Sequence, residues 1–349
     1  MNKSFKTLIL SALIAGASMS AFASGPDISG YFDMAIVAPE KKEAYWRQQH
    51  LNILMNHSID KFKFFAEIEF EDALDIDLGR TPQTLGTTKT GVGRIFIERA
   101  YAEYSIIPEL SARFGQLLHS TLYYENHYPS IIINYTDPLT RKVIFDYNIK
   151  GATLFGEKMG VIYDVWTGKG PSSTTAATNE SGTNFGGKLG YHLTGSKLDM
   201  KLSVLGATYT WDIEGEKTKA YGAELSLNYG NFQLWSEYGI RGADIKKSGA
   251  TASGKDKQMA GYVIGSYAFD LGSNGEISPF LMLDQYKRFS TVGSTLQRAT
   301  SGFAYRPIPT ITVKLDYSNS ISGKINTDGT ANSKLVDNKV AAQLVYFYN

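Results

Sequence analysis

His119, Ser120, Glu125 and His127 crowd into one stretch of nine residues, and three kinds of chemistry use such side chains. Two imidazoles flanking a carboxylate can hold a metal, but this spacing matches no recognised ligand pattern, and loops carry stray histidines freely. A serine beside a histidine can form a hydrolytic pair. The chain has five His, no Gly-x-Ser-x-Gly turn and no evident third member to complete such a site. The glycines at Gly186-Gly187 and from Gly239 to Gly242 follow no strand-to-helix switch, so they do not read as phosphate loops. What remains is electrostatic. Glu125, Asp137 and Asp146 stand against Arg141 and Lys142 in one connection, with His119 and His127 titratable near neutral pH. Fixed charges of opposite sign filter ions; they transform nothing. No catalysis, metal or cofactor is expected.

The elements that position these charges read as strands. Alternation of apolar and polar residues, punctuated by Gly, Pro, Asn and Asp, predicts sixteen of them. They lie near 28–37, 43–55, 61–71, 93–106, 110–118, 149–156, 160–168 and 183–193. The other eight lie near 197–210, 218–229, 231–242, 257–269, 275–287, 297–306, 309–319 and 338–348. One face is greasy in each clear case. Phe62, Phe64, Ala66, Ile68 and Phe70 oppose Lys63, Glu67, Glu69 and Glu71. Leu198, Met200, Leu202 and Val204 oppose Asp199, Lys201 and Ser203. Ile311, Val313, Leu315 and Tyr317 oppose Thr312, Lys314, Asp316 and Ser318. The final strand sets Val340, Ala342, Leu344, Tyr346 and Tyr348 against Lys339, Ala341 and Gln343. In the strand at 93–106, Arg94 and Glu98 share one parity, while Arg99, Tyr101 and Glu103 share the other. A bulge near Glu98–Arg99 would bring them to one face.

The connections alternate short and long. The long ones fall near 72–92, 119–148, 169–182, 243–256 and 320–337. Bacterial outer-membrane barrels have this pattern of short periplasmic turns and longer outer loops, and an even strand count lets the last strand seal against the first. The expectation is therefore an all-β fold: a 16-stranded antiparallel transmembrane β-barrel, wide enough to leave an aqueous lumen. Trp46, Trp166 and Trp211 fall near outer strand ends, where an aromatic girdle belongs.

Composition agrees. The chain has 22 Tyr, 18 Phe and 34 Gly, but no Cys. Residues 1–23 read as a signal peptide: Lys3 and Lys6, a short apolar run from Leu8 to Ala17, and Ala21-Phe22-Ala23 before a mature start at Ser24. Lys3 and Lys6 are the only charged residues in that segment. Its removal takes the basic count from 35 to 33 against 34 acids, a formal charge of −1 for residues 24–349. So balanced a chain lacks the basic excess that a nucleic-acid partner needs.

The connection from His119 to Asn148 is the third outer loop in this count. Tyr123, Tyr124, Tyr128, Ile131, Ile132, Ile133 and Tyr135 give it an apolar surface to pack against a barrel wall. The chain here resembles the Gram-negative porins. The stretch Arg99-Ala100-Tyr101-Ala102-Glu103-Tyr104, through Phe114-Gly115-Gln116 to Tyr124-Glu125-Asn126-His127-Tyr128-Pro129, looks like their phosphate-selective group. That likeness covers residues 93–156; the remainder is similar in architecture alone. The resemblance implies that the third loop folds into the lumen as a constriction with acids facing bases. It also implies a homotrimer in the outer membrane of a Gram-negative bacterium, with outer-membrane lipids and lipopolysaccharide around it. The barrel-assembly machinery would act during biogenesis, and ions and small hydrophilic solutes would pass through. The candidate filter is Glu125, Asp137, Arg141, Lys142 and Asp146 from the loop, facing Lys63, Glu67, Glu69, Arg94 and Arg113 from the wall. Passive diffusion is the expected function. The alternatives are a substrate-specific channel that binds phosphate, another anion or a small organic solute at the constriction, and a barrel without an open lumen. An unbroken run of Arg and Lys, as phosphate selectivity would need, is absent from the inward faces, which mix acids with bases.

Overall fold

The computed structural model describes residues 25–40, 42–71, 75–77, 94–126, 132–140, 144–145, 148–169, 183–210, 217–245, 254–288, 294–322 and 338–348. Arg141, Lys142, Asp146, His127, Tyr128, Ile131, Trp211 and the expected signal peptide lie outside them.

The strands are β1 (Asp27–Pro39), β2 (Tyr45–Ile59), β3 (Phe62–Glu71, continued by Asp75–Asp77), β4 (Arg94–Ile107), β5 (Leu110–Leu118), β6 (Asn148–Lys158), β7 (Val161–Lys169) and β8 (Thr183–Thr194). They continue as β9 (Leu198–Thr210), β10 (Lys217–Tyr229), β11 (Phe232–Ile245), β12 (Gly254–Tyr267, continued by Phe269–Asp270), β13 (Glu276–Arg288), β14 (Ser294–Ile308), β15 (Ile311–Ser322) and β16 (Lys339–Tyr348). Asp75–Asp77 pairs with Tyr45–Arg47 of β2, further along the partner that Glu71 meets at His50, so the two pieces form one stave. Phe269–Asp270 likewise prolongs β12 along β13. Each of the sixteen predicted segments overlaps one stave.

Every stave is antiparallel to its sequence neighbours, and β16 closes on β1 from Gly30↔Tyr348 to Pro39↔Lys339. Closure removes the unpaired edge that hydrocarbon would not tolerate. At one end the strands are joined by two-residue turns such as 60–61, 159–160 and 230–231. Met159 (φ 52) and Gly160 (φ 81) are both left-handed, the backbone that a tight hairpin needs to match strand twist.

The two faces differ as the alternation predicts. Phe64, Ile97, Phe114, Leu189, Leu202, Val204, Leu283 and Leu344 are exposed on the outside, with Leu202 at 53%. Glu67, Ser203, Asp284, Asp316 and Gln343 are buried on the inside. A closed barrel with an apolar outer band and a polar interior spans a membrane. The bulge in β4 is present: Glu67 faces Arg99 and Ile68 faces Ile97, so Glu98 is the extra residue and both parities reach the lumen. One expectation is corrected. Trp166 does not join a girdle; it points inward, is 2% exposed, and packs on the third loop. It lies two positions from the inward-facing Asp164, and that parity governs its direction. Trp46 lies opposite Ile36 on the outer face, consistent with a girdle position.

Candidate functional site

The third loop leaves β5 at Leu118; β5 has only 9 residues against 14 in its neighbour β4, whose residues 94–99 run on beyond the last pair, Ala100↔Gln116. It enters the lumen at once and forms a four-residue helix, α1 (Leu122–Glu125). Its apolar residues find apolar partners on the inner wall. Leu122, Ile132 and Ile133 cluster with Trp235, Tyr262, Ile264, Phe280, Met282 and Ala304. Phe145 and Ile144 cluster with Trp166, Leu205, Ala207 and Ala260. Tyr135 reaches Ala35, Val37 and Ala341 beside the closing seam. Each large side chain so covered contributes roughly 1.5–3 kcal/mol. Of the seven loop residues expected to pack on the wall, Tyr123, Tyr124, Ile132, Ile133 and Tyr135 are buried; Tyr128 and Ile131 lie outside the described residues.

The wall also grips the loop backbone, through carboxylates. Glu224 of β10 accepts from Leu122 N (2.9 Å), and Glu237 of β11 accepts from Tyr123 N (2.7 Å). Together with Thr121, whose hydroxyl accepts from Tyr124 N, they satisfy the free amides of the first helical turn. Asp284 of β13 accepts from Leu139 N (3.0 Å). Asp316 of β15 accepts from both Tyr135 N (2.7 Å) and Thr136 N (2.8 Å). Arg298 binds Asp284 and also donates to the Asp137 carbonyl, which ties β14 to the loop. Four acids on four strands thus hold one loop across the lumen. His119 sits at the loop's root, fully buried between the rings of Phe145 (4.9 Å) and Trp166 (4.7 Å). Burial, with Lys188 nearby adding to it, pushes its imidazole down to about 3, so it is neutral at physiological pH.

The sequence-predicted charges divide. Glu125 lies on α1, half exposed, and meets Lys188 of β8 at 3.3 Å. Asp137 accepts from the Tyr123 hydroxyl within the loop. Arg113 points into the lumen and binds Glu103 at 2.7 Å, between the rings of Tyr101 (4.5 Å) and Phe155 (4.4 Å). Glu67 and Glu69 face inward but are sequestered. Glu67 takes Arg99 at 2.7 Å and Asn52 at 2.6 Å, and Glu69 takes Asn52 at 3.4 Å. Lys63 lies directly opposite Glu103 on β4. Arg94 is placed by its backbone opposite Glu71. Arg113 and Glu125 line the same cavity, about 550 Å³ between α1 and β4–β10, together with Arg99, Lys188 and Lys201. Glu125 takes its partner from Lys188, a residue outside the predicted set.

Sequence reasoning missed Lys188, Glu224, Glu237, Asp284, Arg298 and Asp316 as a set. The available signal was Glu224, an acid flanked on its own inward face by Gly222 and Ala220, a position that needs donors from elsewhere.

No family model and no curated protein matches the chain. Solved structures do. OmpF of Salmonella typhi, in complex with daunomycin, superposes with a TM-score of 0.65 at 15% identity, covering 92% of this chain and 97% of that one. The anion-selective porin from Comamonas acidovorans gives 0.61 at 12% identity, covering 93% and 99%. The outer membrane channel DcaP of Acinetobacter baumannii gives 0.58 at 14%, covering 92% and 96%. At these identities the likeness establishes the fold, that of the porin barrels over nearly the whole chain.

Proposed function

We propose that this chain is a passive-diffusion channel of a Gram-negative outer membrane, conducting ions and small hydrophilic solutes. The observation that carries the reading is a cavity of about 550 Å³, lined by the charged groups of Arg99, Arg113, Glu125, Lys188 and Lys201, inside a closed, outwardly apolar barrel whose third loop is docked on the inner wall. Sixteen strands enclose more space than side chains fill, and a loop fixed inside narrows that space without closing it. The barrel does no covalent chemistry and needs no cofactor. Export begins with loss of residues 1–23. Insertion by the barrel-assembly machinery places the apolar band in outer-membrane lipid and lipopolysaccharide, and three copies assemble as a homotrimer. Glu125, Asp137, Arg113 and Lys63, with Arg141, Lys142, Asp146 and Arg94, supply the field along the path; Glu67 and Glu69 act through their network with Arg99.

Liposome swelling tests this. Vesicles carrying the folded protein should swell in isotonic sugars at rates that fall steeply with solute size. Swelling no faster than in empty vesicles would refute the reading. A second reading, a channel with a solute-binding site, is favoured by the Arg113 guanidinium sandwiched between Tyr101 and Phe155. It requires conductance that saturates with one solute and is blocked by it.

A further inference from the structure

Lys188 is 7% exposed and touches three groups at once. Its ammonium lies 3.0 Å from Glu224, 3.3 Å from Glu125 and 3.2 Å from the carbonyl of Ser120. Glu224 is as hidden as the lysine, at 6%, and is committed to Leu122 N. Glu125 is the opposite: its side chain is 48% exposed and lines the cavity through which solute would pass. One concealed cation therefore serves two acids, of which only one meets water. Asp164, Glu237 and the neutral His119 are also within its electrostatic reach.

We infer that Lys188 is a selectivity-determining residue, which sets the charge that Glu125 presents to a passing ion. Lys188 bridges an enclosed acid and an exposed one, and this arrangement makes the Glu125 carboxylate the group whose charge a passing ion meets. The inference rests on the channel reading above and deepens it. Removing the lysine takes one positive charge from the group; removing the Glu125 charge takes one negative charge from it. Removing both leaves the net charge where it began, with a different geometry. A residue that only docks the loop would not obey this ledger.

The test is the reversal potential of single channels in a tenfold KCl gradient at low total salt, where exposed charges act over roughly 10 Å or more. Lys188→Met should raise the cation-to-anion permeability ratio about two- to threefold, the effect of one added charge several ångströms from a water-filled path. Glu125→Gln should lower it by a similar factor. The double variant should return to the wild-type ratio, and Lys188→Arg should leave it unchanged. At high salt all the differences should shrink. If Lys188→Met does not fold, as judged by heat-modifiable migration, Lys188→Met in a Glu224→Gln background substitutes for it, because no enclosed acid is then left without its cation, and it should raise the ratio over that of Glu224→Gln alone. Channels that conduct but show no shift in Lys188→Met, or a double variant that stays at the Lys188→Met value, would overturn the inference and leave the channel reading standing. Absence of current from the wild-type protein would remove both.

Discussion

Asp316 offers the sharpest perturbation of the docked loop. A single oxygen, Oδ2, accepts from the amides of Tyr135 and Thr136 at 2.7 and 2.8 Å, and Ser318 on the same strand meets the Thr136 hydroxyl at 3.1 Å. Hydrogen bonds to a charged acceptor contribute about 1.5–3 kcal/mol each when the partner is removed. The two share one oxygen and lumenal water can replace part of the loss, so Asp316→Ala should cost about 3 kcal/mol of local docking free energy. A difference of about 1.4 kcal/mol is tenfold in an equilibrium, so amide exchange over residues 132–140 should speed up by about a hundredfold. Asp316→Asn keeps an acceptor without the charge and should fall between. Hydrogen exchange read by mass spectrometry on detergent-folded protein makes the measurement, with peptides from β9 and β10 as internal controls. The apolar contacts of Tyr135 with Ala35, Val37 and Ala341 persist in both variants, so the barrel should still fold. Protection of 132–140 that is unchanged in Asp316→Ala would refute the idea that wall carboxylates hold the loop.

Other predictions follow from the same structure. A Cβ at Gly30 would collide with the Asn52 carbonyl and with Tyr348 across the closing seam, so Gly30→Val should abolish the heat-modifiable folded form on gels. Deleting residues 346–349 removes the rungs at Gly30, Tyr31 and Phe32, and should likewise prevent assembly; normal insertion would show that β16 does not seal the barrel. Leu202→Arg puts a charge on the lipid face near the middle of β9 and should destabilise the barrel by about 2–4 kcal/mol in denaturant titrations. His119 has a folded pKa lowered to about 3, so its contribution is fully present above the unfolded value and is lost as the pH falls. Below about pH 6.5 it should cost up to about 1.4 kcal/mol per pH unit. Unfolding midpoints at pH 7.5 and 4.5 should therefore converge in His119→Phe relative to wild type, and parallel slopes would contradict the neutral, stacked histidine.

The staves were legible because a lipid-facing strand must alternate, and lipid leaves no other partner for Phe64, Leu202 or Leu344. The bulge at Glu98 was legible for the same reason: two charged parities in β4 can share one face only through an extra residue. The lumen was harder. Its lining is polar where water reaches it and apolar where the loop docks, so Trp166 reads as a girdle residue until His119 and Phe145 are brought against it. Charge roles were least legible. Glu67 and Glu125 are equally acidic in sequence, yet one is enclosed by Arg99 and Asn52 while the other faces water with Lys188 behind it. Those differences come from residues 15 to 63 positions away, a range over which local pattern carries no information.

The central claim is that the barrel encloses a continuous water path past the docked loop. Purified, folded protein added to a planar lipid bilayer tests it directly. The account predicts discrete, uniform conductance steps that scale with bulk electrolyte conductivity and change in size when Lys188 or Glu125 is substituted. A folded, inserted barrel that yields no steps at any voltage would contradict it.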